Sequence, residues 1–218
     1  MGGVKWLCSN ISCKINITTI NFRLSRSLYF SKFMKIMLIR HGKVNHPPFA
    51  IISAASFSNW VTAYDKNKLD KLSIPTEEVL DIVSKAKAIV CSKLIRSQDS
   101  AKVLGVKNIT YSSSIFNEAG LPTTNWRFPL LSVRIWVILF RLFWLVGYSK
   151  NSESLSETRV RATKAIDELI DLAVIHDSVA FIGHGIFNRM LANRLLEAGW
   201  VGPRTPSSEY WGFGVYEK

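Results

Sequence analysis

The sequence predicts an α/β sandwich built around a mostly parallel sheet. From Met34 onward, short apolar runs typical of buried strands alternate with longer stretches of helical periodicity, which is the pattern of strand-helix-strand units. The 218 residues are 48% hydrophobic and 20% charged, as in ordinary globular proteins, and they suffice for one domain with a substantial core.

The predicted elements follow one another along the chain. Strands are predicted at 35–40, 87–91, 108–111, 178–183 and 210–216. Helices are predicted at 54–66, 76–85, 93–104, 153–175 and 186–198. The helix at 153–175 has the clearest start, because Ser154 and Glu157 have the spacing of a capping box.

The first 33 residues differ from the rest of the chain. They contain no acidic residue, are rich in hydroxyl side chains, and lack the continuous apolar core of a signal peptide. Two explanations remain open: an N-terminal extension outside the fold, or translation that begins at Met34. We therefore assign 34–218 to the folded domain and leave 1–33 out of the functional argument.

The net charge of +12 favours anionic partners such as phosphorylated metabolites, nucleic acid or an acidic membrane surface. Residues 1–34 supply +5 of this charge, which leaves +7 on the remainder. There the Lys and Arg residues are scattered, and no zinc finger, helix-turn-helix or RNA-binding signature accompanies them. We therefore expect no nucleic-acid partner.

The three cysteines, Cys8, Cys13 and Cys91, form no C-x-x-C pair. This pattern argues against a disulfide framework and against a structural zinc site. It favours a reducing compartment, and we expect a cytoplasmic protein. No clustered Asp and His set for magnesium or zinc is apparent, so we expect neither a metal nor a cofactor.

The segment LIRHG places polar residues directly after the first predicted strand. Ligands of α/β sheets bind outside the carboxyl ends of the strands, so Arg40 and His41 are predicted to face a site. Gly42 is predicted to let the backbone turn and approach an anion closely.

Two further strand ends repeat this arrangement. A second apolar run ends in the motif GHG around His184, and the backbone N–H groups of the helix that follows form a predicted phosphate seat. The strand at 87–91 leads to Ser92, the predicted cap of a helix that carries Arg96 in its first turn. Three strand ends thus bring two histidines and two arginines to one rim.

These residue types suit phosphoryl transfer. An arginine fork donates two parallel bonds to phosphate oxygens. A neutral histidine can accept the phosphoryl group covalently, and nearby guanidinium groups should lower its pKa from about 6.5. Glu118, which follows the predicted strand at 108–111, is the best-placed acid to protonate the leaving oxygen.

Taken together, the motifs resemble those of the histidine phosphatase superfamily, which has the phosphoglycerate mutase-like fold. They occur in order as LIRHG, SKLIRSQDSA, NEAGLP, ESLSETRVRA and GHG. The resemblance implies a three-layer α/β/α sandwich and chemistry without a metal. It implies that His41 accepts the phosphoryl group, that Glu118 donates the proton, and that Arg40, Arg96 and His184 clamp the phosphate. By the same resemblance, His184 is also a catalytic residue.

The outer positions depart from the family pattern. Val44 and Pro47 stand where the family often has Thr or Ser and then Asn, and Lys93 replaces a common acid. The longer mutase signature after Glu118 is also missing. These departures leave the substrate open and argue against phosphoglycerate mutase activity.

A strongly apolar stretch follows Glu118, and we predict a hydrophobic helical insertion at about 128–148. A membrane span is rejected because it would separate His184 from His41. Two interpretations remain. The insertion is a lid over the pocket, or it contacts a membrane surface or a second copy of the chain through residues 130–147.

The sequence therefore predicts an enzyme, a metal-independent phosphatase that hydrolyses a phosphomonoester through a phosphohistidine on His41. The expected substrate is a phosphorylated small molecule or a phosphoprotein. Two alternatives stay open: a mutase-type phosphotransferase that uses the same intermediate, and a non-catalytic member of the fold that docks on a membrane or a partner.

Overall fold

A computed structural model describes residues 33–46 and 50–218. The predicted N-terminal extension, apart from Phe33, lies outside the described residues, as does the departure at Pro47. The described part carries the predicted alternation of strands and helices.

The central sheet has five strands in the order β4-β3-β6-β1-β7, and β2 and β5 form a separate two-stranded ribbon. The strands are β1 Lys35–Arg40, β2 Ile51–Ile52, β3 Ala88–Ser92, β4 Tyr111–Ser113, β5 Leu131–Ser132, β6 Ser178–Gly183 and β7 Phe213–Glu217. Neighbouring strands of the central sheet run parallel, except that β7 pairs antiparallel with β1.

Helices cover both faces of this sheet. The helices are α1 Ala54–Lys66, α2 Glu77–Ser84, α3 Ile95–Val103, α4 Val133–Leu145, α5 Leu155–His176 and α6 Gly185–Glu197. Successive side chains of a strand point to opposite faces, so Ile36 and Leu38 of β1 pack with α5 and α6, whereas Met37 and Ile39 pack with α2 and α3. The predicted three-layer α/β/α sandwich is confirmed.

Helix α5 begins with the predicted capping box. The Ser154 hydroxyl accepts a hydrogen bond from the Glu157 backbone N–H, and the Glu157 carboxylate accepts one from the Ser154 N–H at 2.8 Å. Two N–H groups at the helix start are thereby satisfied within the local sequence, which is why this boundary is readable from the sequence alone.

The edges of the sheet differ from the predicted boundaries. The strand expected at 108–111 begins at Tyr111, where its pairing with β3 begins. The last strand begins at Phe213 instead of 210, because Trp211 has a φ of 63°, in the left-handed region, and this conformation interrupts an extended strand.

The apolar stretch after Glu118 forms β5 and α4. Trp136 and Phe140 of α4 pack against Phe57 of α1 in a third apolar cluster, in which the rings of Phe57 and Phe140 lie 5.0 Å apart. Among the described residues, none of the helices has the length and apolar character needed to cross a membrane.

Candidate active site

The two histidine motifs meet because their strands are parallel neighbours. Arg40 at the end of β1 lies opposite Gly183 at the end of β6, so the residues that follow emerge at the same edge of the sheet. The rings of His41 and His184 are 5.2 Å apart between centroids, inclined at 61°. The structure therefore brings together the two imidazoles that the sequence predicts at one rim.

The His41 ring is held in one tautomer. Its Nδ1 lies 2.7 Å from the carbonyl oxygen of Gly42, which can only accept, so Nδ1 carries the proton and the lone pair is on Nε2. Burial lowers the pKa of His41 to about 3, and the charges of Arg96 and Arg40 contribute to the lowering. The predicted direction is therefore correct, but desolvation contributes more than the neighbouring guanidinium groups.

His184 is fully buried, and its Nε2 lies 2.8 Å from Ser92 Oγ. Ser92 Oγ also accepts a hydrogen bond from the Leu94 N–H, so its own proton is available for Nε2. In that arrangement Nδ1 carries the imidazole proton. Burial lowers the pKa of His184 well below its usual value, followed by the charge of Arg96, so both rings are neutral.

Arg96 is 5% exposed and is anchored by helix α1. One of its terminal nitrogens contacts Asp65 Oδ1 at 2.5 Å, and its guanidinium lies 5.0 Å from the centre of the Tyr64 ring. Burial raises the pKa of Tyr64 to about 12, so the phenol beside this cation is neutral. Asp65 thus binds one terminal nitrogen of the Arg96 guanidinium and leaves the other nitrogens of this group to other partners.

Arg40, like Arg96, is held by an aromatic ring and an oxygen acceptor. Its guanidinium lies 4.4 Å from the centre of the Tyr210 ring, and one terminal nitrogen donates to the carbonyl oxygen of Ser208. The Tyr210 ring also lies 6.0 Å from the ring of His41. Tyr210 therefore contacts both a predicted phosphate ligand and the predicted nucleophile.

Three buried nitrogens of these residues have no hydrogen-bond partner within the described part of the chain: Arg40 Nε, Arg96 Nε and His184 Nδ1. A buried N–H without a partner is costly and uncommon in a native protein, which points to a ligand. Two guanidinium groups and an imidazole N–H form a donor set suited to an anion such as phosphate. These are the three residues of the predicted phosphate clamp.

Glu118 caps helix α6. Its Oε1 accepts a hydrogen bond from the Phe187 N–H at 2.9 Å, and its Oε2 accepts one from the Ile186 N–H at 3.2 Å. The prediction of a phosphate seat at this helix start is therefore wrong, because the Glu118 carboxylate occupies these two N–H groups. Glu118 nevertheless lies next to the predicted site, since Ile186 is only two residues beyond His184.

Two arginines position the loop that carries Glu118. Arg161 of α5 donates to the carbonyl oxygens of Ile115 and Asn117 at 2.7 and 2.8 Å, and its other nitrogens pair with the Glu153 carboxylate. Arg141 of α4 donates to two carbonyl oxygens just after Glu118. The conformation of this loop is thus fixed from two helices.

Gly42 has a different use from the predicted one. A Cβ atom at this position would lie 2.3 Å from the indole ring of Trp211, and the Gly42 N–H donates to Ser100 Oγ at 2.9 Å. Glycine is therefore required for the close packing of Trp211, and its N–H is not available to an anion.

Sequence reasoning missed several residues of the site. Ser92 was predicted to cap α3, but α3 begins at Ile95 without a side-chain cap, and Ser92 contacts His184 instead. Tyr64, Asp65 and Tyr210 gave no recognisable signal. Their contacts with the two arginines depend on how α1 and the segment before β7 fold onto the sheet.

No group of three His, Cys, Asp or Glu side chains that could hold a metal ion is present in residues 33–46 and 50–218. The ionisable groups of the sequence-predicted site residues are two neutral imidazoles, two guanidinium groups and the Glu118 carboxyl, and Tyr64, Asp65 and Tyr210 lie beside the two guanidinium groups.

Comparison with known proteins yields structural likenesses alone: no protein-family model and no curated protein matches the sequence. The product of open reading frame Rv3214 of Mycobacterium tuberculosis is 16% identical with a TM-score of 0.56, over 84% of this chain and 90% of that one. A mycobacterial glucosyl-3-phosphoglycerate phosphatase with inorganic phosphate is 20% identical with a TM-score of 0.50, over 75% and 79%. An alpha-ribazole phosphatase from Shigella flexneri is 16% identical with a TM-score of 0.50, over 74% and 79%.

At these identities the likeness establishes the fold. The predicted phosphoglycerate mutase-like fold is confirmed. The activity of the chain and the roles of its site residues remain predictions.

Proposed function

We propose that this chain, which has the phosphoglycerate mutase-like fold, is a metal-independent phosphatase that hydrolyses a phosphomonoester through a phosphohistidine on His41. One observation supports this most strongly. A neutral imidazole with its lone pair on Nε2 lies beside three buried nitrogens, on Arg40, Arg96 and His184, that have no partner among the described residues. A nucleophile and an anion-binding donor set thus occur together.

The proposed reaction has two displacements at phosphorus. In the first, His41 Nε2 forms a bond to phosphorus, the bond between phosphorus and the ester oxygen breaks, and Glu118 gives its proton to the leaving alkoxide. In the second, water attacks the phosphohistidine, Glu118 takes a proton from the water, and the N–P bond breaks. Arg40, Arg96 and His184 stabilise the charge on the phosphoryl oxygens in both steps.

Glu118 carries two tasks in this proposal. Each carboxyl oxygen has two lone pairs, and Oε2 accepts one hydrogen bond from an N–H of α6 at 3.2 Å. The second lone pair of Oε2 can hold the catalytic proton while the cap is kept. The carboxyl group can therefore act as an acid without releasing the helix.

Two of the similar structures are phosphatases by name, which supports hydrolysis rather than transfer to a second substrate. We place the reaction in the cytoplasm, which suits Cys91 as a buried free thiol. The substrate of this chain is a small phosphorylated molecule or a phosphoprotein in this proposal.

The central test is the variant His41→Ala, assayed with EDTA on a panel of sugar, nucleotide, lipid and protein phosphates. We expect kcat to fall by about 10⁴-fold or more, because the first displacement loses its nucleophile. Rapid quenching of the unchanged protein should trap a phosphoenzyme that is labile in acid and stable in base, and His41→Ala should trap none. Full activity in His41→Ala, or activity that requires an added metal, would refute the proposal.

Glu118→Gln separates the two tasks of Glu118. The single amide oxygen can keep the Phe187 N–H bond, but the amide NH₂ cannot accept from the Ile186 N–H, so the free energy of unfolding should fall by about 1–3 kcal/mol and by less than in Glu118→Ala, whereas kcat should fall by about 10²- to 10⁴-fold. Glu118→Ala should lose both stability and turnover. Unchanged kcat in Glu118→Gln would show that this residue is a cap alone and that the proton has another source.

A further inference from the structure

Helix α4 is apolar on two opposite faces. The inner face carries Val133, Trp136, Phe140 and Trp144, all buried. The outer face of α4 consists of Ile135, Ile138, Leu142 and Leu145, which are between 44% and 60% exposed. At 100° per residue these four lie within about 80° of one another, so they form a continuous stripe. A helix with two apolar faces normally has both of them buried, and the outer face of α4 is left exposed by residues 33–46 and 50–218.

Two aromatic side chains are exposed in the segment before α4. The ring of Trp126, half exposed, lies 6.3 Å from that of Phe143 of α4, and Phe128 two residues later is 79% exposed. Aromatic side chains at the edge of an aliphatic stripe are typical of surfaces that enter the interface of a bilayer. The chain thus exposes aromatic side chains shortly before the helix that carries the aliphatic stripe.

The segment that contains this helix carries charge of one sign. Residues 119–152 contain four Lys or Arg and no Asp or Glu. Arg127 and Lys150 are exposed at the two ends of the segment, and Arg134 is exposed on α4 one residue before Ile135. Cations beside an exposed apolar stripe complement an anionic lipid surface.

The same charges disfavour a second copy of the chain as the occupant. A symmetric dimer through this face would bring each segment against itself, so the three exposed cations of each copy, six in all, would meet with no acidic residue in either segment. The net charge of +12 adds to this repulsion. An anionic membrane surface would bury the apolar stripe and also attract the cations. A second copy would bury the stripe but repel the cations.

We propose that the outer face of α4 docks the protein on the surface of a bilayer that contains anionic lipid. The inner face of α4 remains packed on α1, so the helix lies along the surface with its outer face in the apolar boundary. This inference is independent of the proposed phosphatase activity, because it concerns residues outside the candidate active site and is measured without a substrate.

The test is flotation of the full chain with vesicles of phosphatidylcholine alone and of phosphatidylcholine mixed with phosphatidylserine. We expect binding to the anionic vesicles to be at least about tenfold stronger than to the neutral ones. The double variant Ile138→Glu/Leu142→Glu should bind the anionic vesicles at least about tenfold more weakly than the unchanged chain. The matched control is Val160→Glu/Ile175→Glu, which places the same two charges at exposed apolar positions of α5 and should bind as the unchanged chain does.

Circular dichroism of each variant checks the fold, and Ile135→Ser/Leu145→Ser provides a milder change of the same face if the glutamates destabilise it. Three results would overturn the proposal: no flotation of the unchanged chain, equal loss in the α5 control, or full binding by both variants of the outer face. A dimer in sedimentation that the outer-face variants dissociate, without vesicle binding, would assign the surface to a second copy instead.

Discussion

At the level of single residues, desolvation dominates the chemistry of the site. Both imidazoles are inside the protein, and burial is the largest cause of the lowered pKa of each. At neutral pH, holding His41 in its neutral form lowers the free energy of unfolding very little, because its usual pKa of about 6.5 already leaves it largely uncharged there. The cost appears in acid, where the unfolded chain binds protons that the folded site excludes.

This gives a prediction for the pH dependence of stability. The folded pKa of His41 is about 3 and the unfolded value about 6.5, so the unfolded state binds more protons between these limits and the free energy of unfolding falls as pH decreases. From pH 7 to pH 5 the contribution of His41 is a loss of about 2 kcal/mol. Urea unfolding at both pH values should show that His41→Asn loses less stability over this range by about that amount. An equal loss in the two proteins would contradict a buried neutral His41.

Ser92 provides a second prediction at this scale. Ser92→Ala removes the hydroxyl that contacts His184 Nε2 and leaves a buried nitrogen without a partner, so the free energy of unfolding should fall by about 1–3 kcal/mol. Because the His184 ring loses its fixed orientation, kcat should fall by up to about 10²-fold. Ser112→Ala, a serine on the adjacent strand that does not contact a histidine, is the matched control. If both variants behave alike, Ser92 does not orient His184.

At the level of elements, the loop that bears Glu118 is positioned by its surroundings rather than by its own sequence. Arg161 links this loop to α5 through two carbonyl oxygens and a paired carboxylate, and its guanidinium lies 4.3 Å from the centre of the Phe187 ring of α6. The side chain of Arg161 is 19% exposed, so these contacts are largely shielded from water. One residue thus fixes the loop against the helix that Glu118 caps.

We therefore predict that Arg161→Met destabilises the fold and weakens activity together. Two carbonyl oxygens and the Glu153 carboxylate lose their donor, so the free energy of unfolding should decrease by about 2–3 kcal/mol. The displacement of Glu118 should also lower kcat/KM. Arg159→Met, an exposed arginine of the same helix, should change neither quantity in urea unfolding and kinetic assays. A stable, fully active Arg161→Met variant would show that the loop holds its position without this anchor.

At the level of the whole molecule, the candidate site concentrates positive charge in a protein that is already basic. The net charge is +12, and two guanidinium groups and an imidazole supply buried nitrogens without a partner among the described residues, a donor set suited to an anion. Binding of an anion to the folded state alone stabilises that state by mass action. Phosphate should therefore act as a ligand and not only as a salt.

The corresponding prediction concerns thermal unfolding in inorganic phosphate. At phosphate concentrations about 100 times Kd the stabilisation is about 2.7 kcal/mol, which corresponds to a rise in Tm of about 5–10 °C for a chain of this size. Sodium chloride of equal ionic strength should produce less than half of this rise. Arg40→Met should lose most of the phosphate effect, because it removes one of the three unpartnered donors. An equal rise in chloride, or in Arg40→Met, would place the effect outside this site.

Much of this fold could be predicted from the sequence alone. The alternation of apolar runs and helical stretches predicted the fold class, and the capping box at Ser154 and Glu157 predicted the start of α5. The positions of Arg40, His41 and His184 at strand ends predicted that they would meet. These predictions succeeded because periodicity, capping and strand ends are local, and parallel neighbouring strands end at the same edge of a sheet.

The tertiary structure alone decided the partners of the polar groups at the candidate site. The N–H groups at the start of α6 looked available to phosphate, but they bind a carboxylate 68 residues away along the chain. Likewise, Asp65 and Tyr210 reach the two arginines only because distant segments fold onto the same edge. Competition between a ligand and distant side chains for the same donors is settled by packing, which no local pattern encodes.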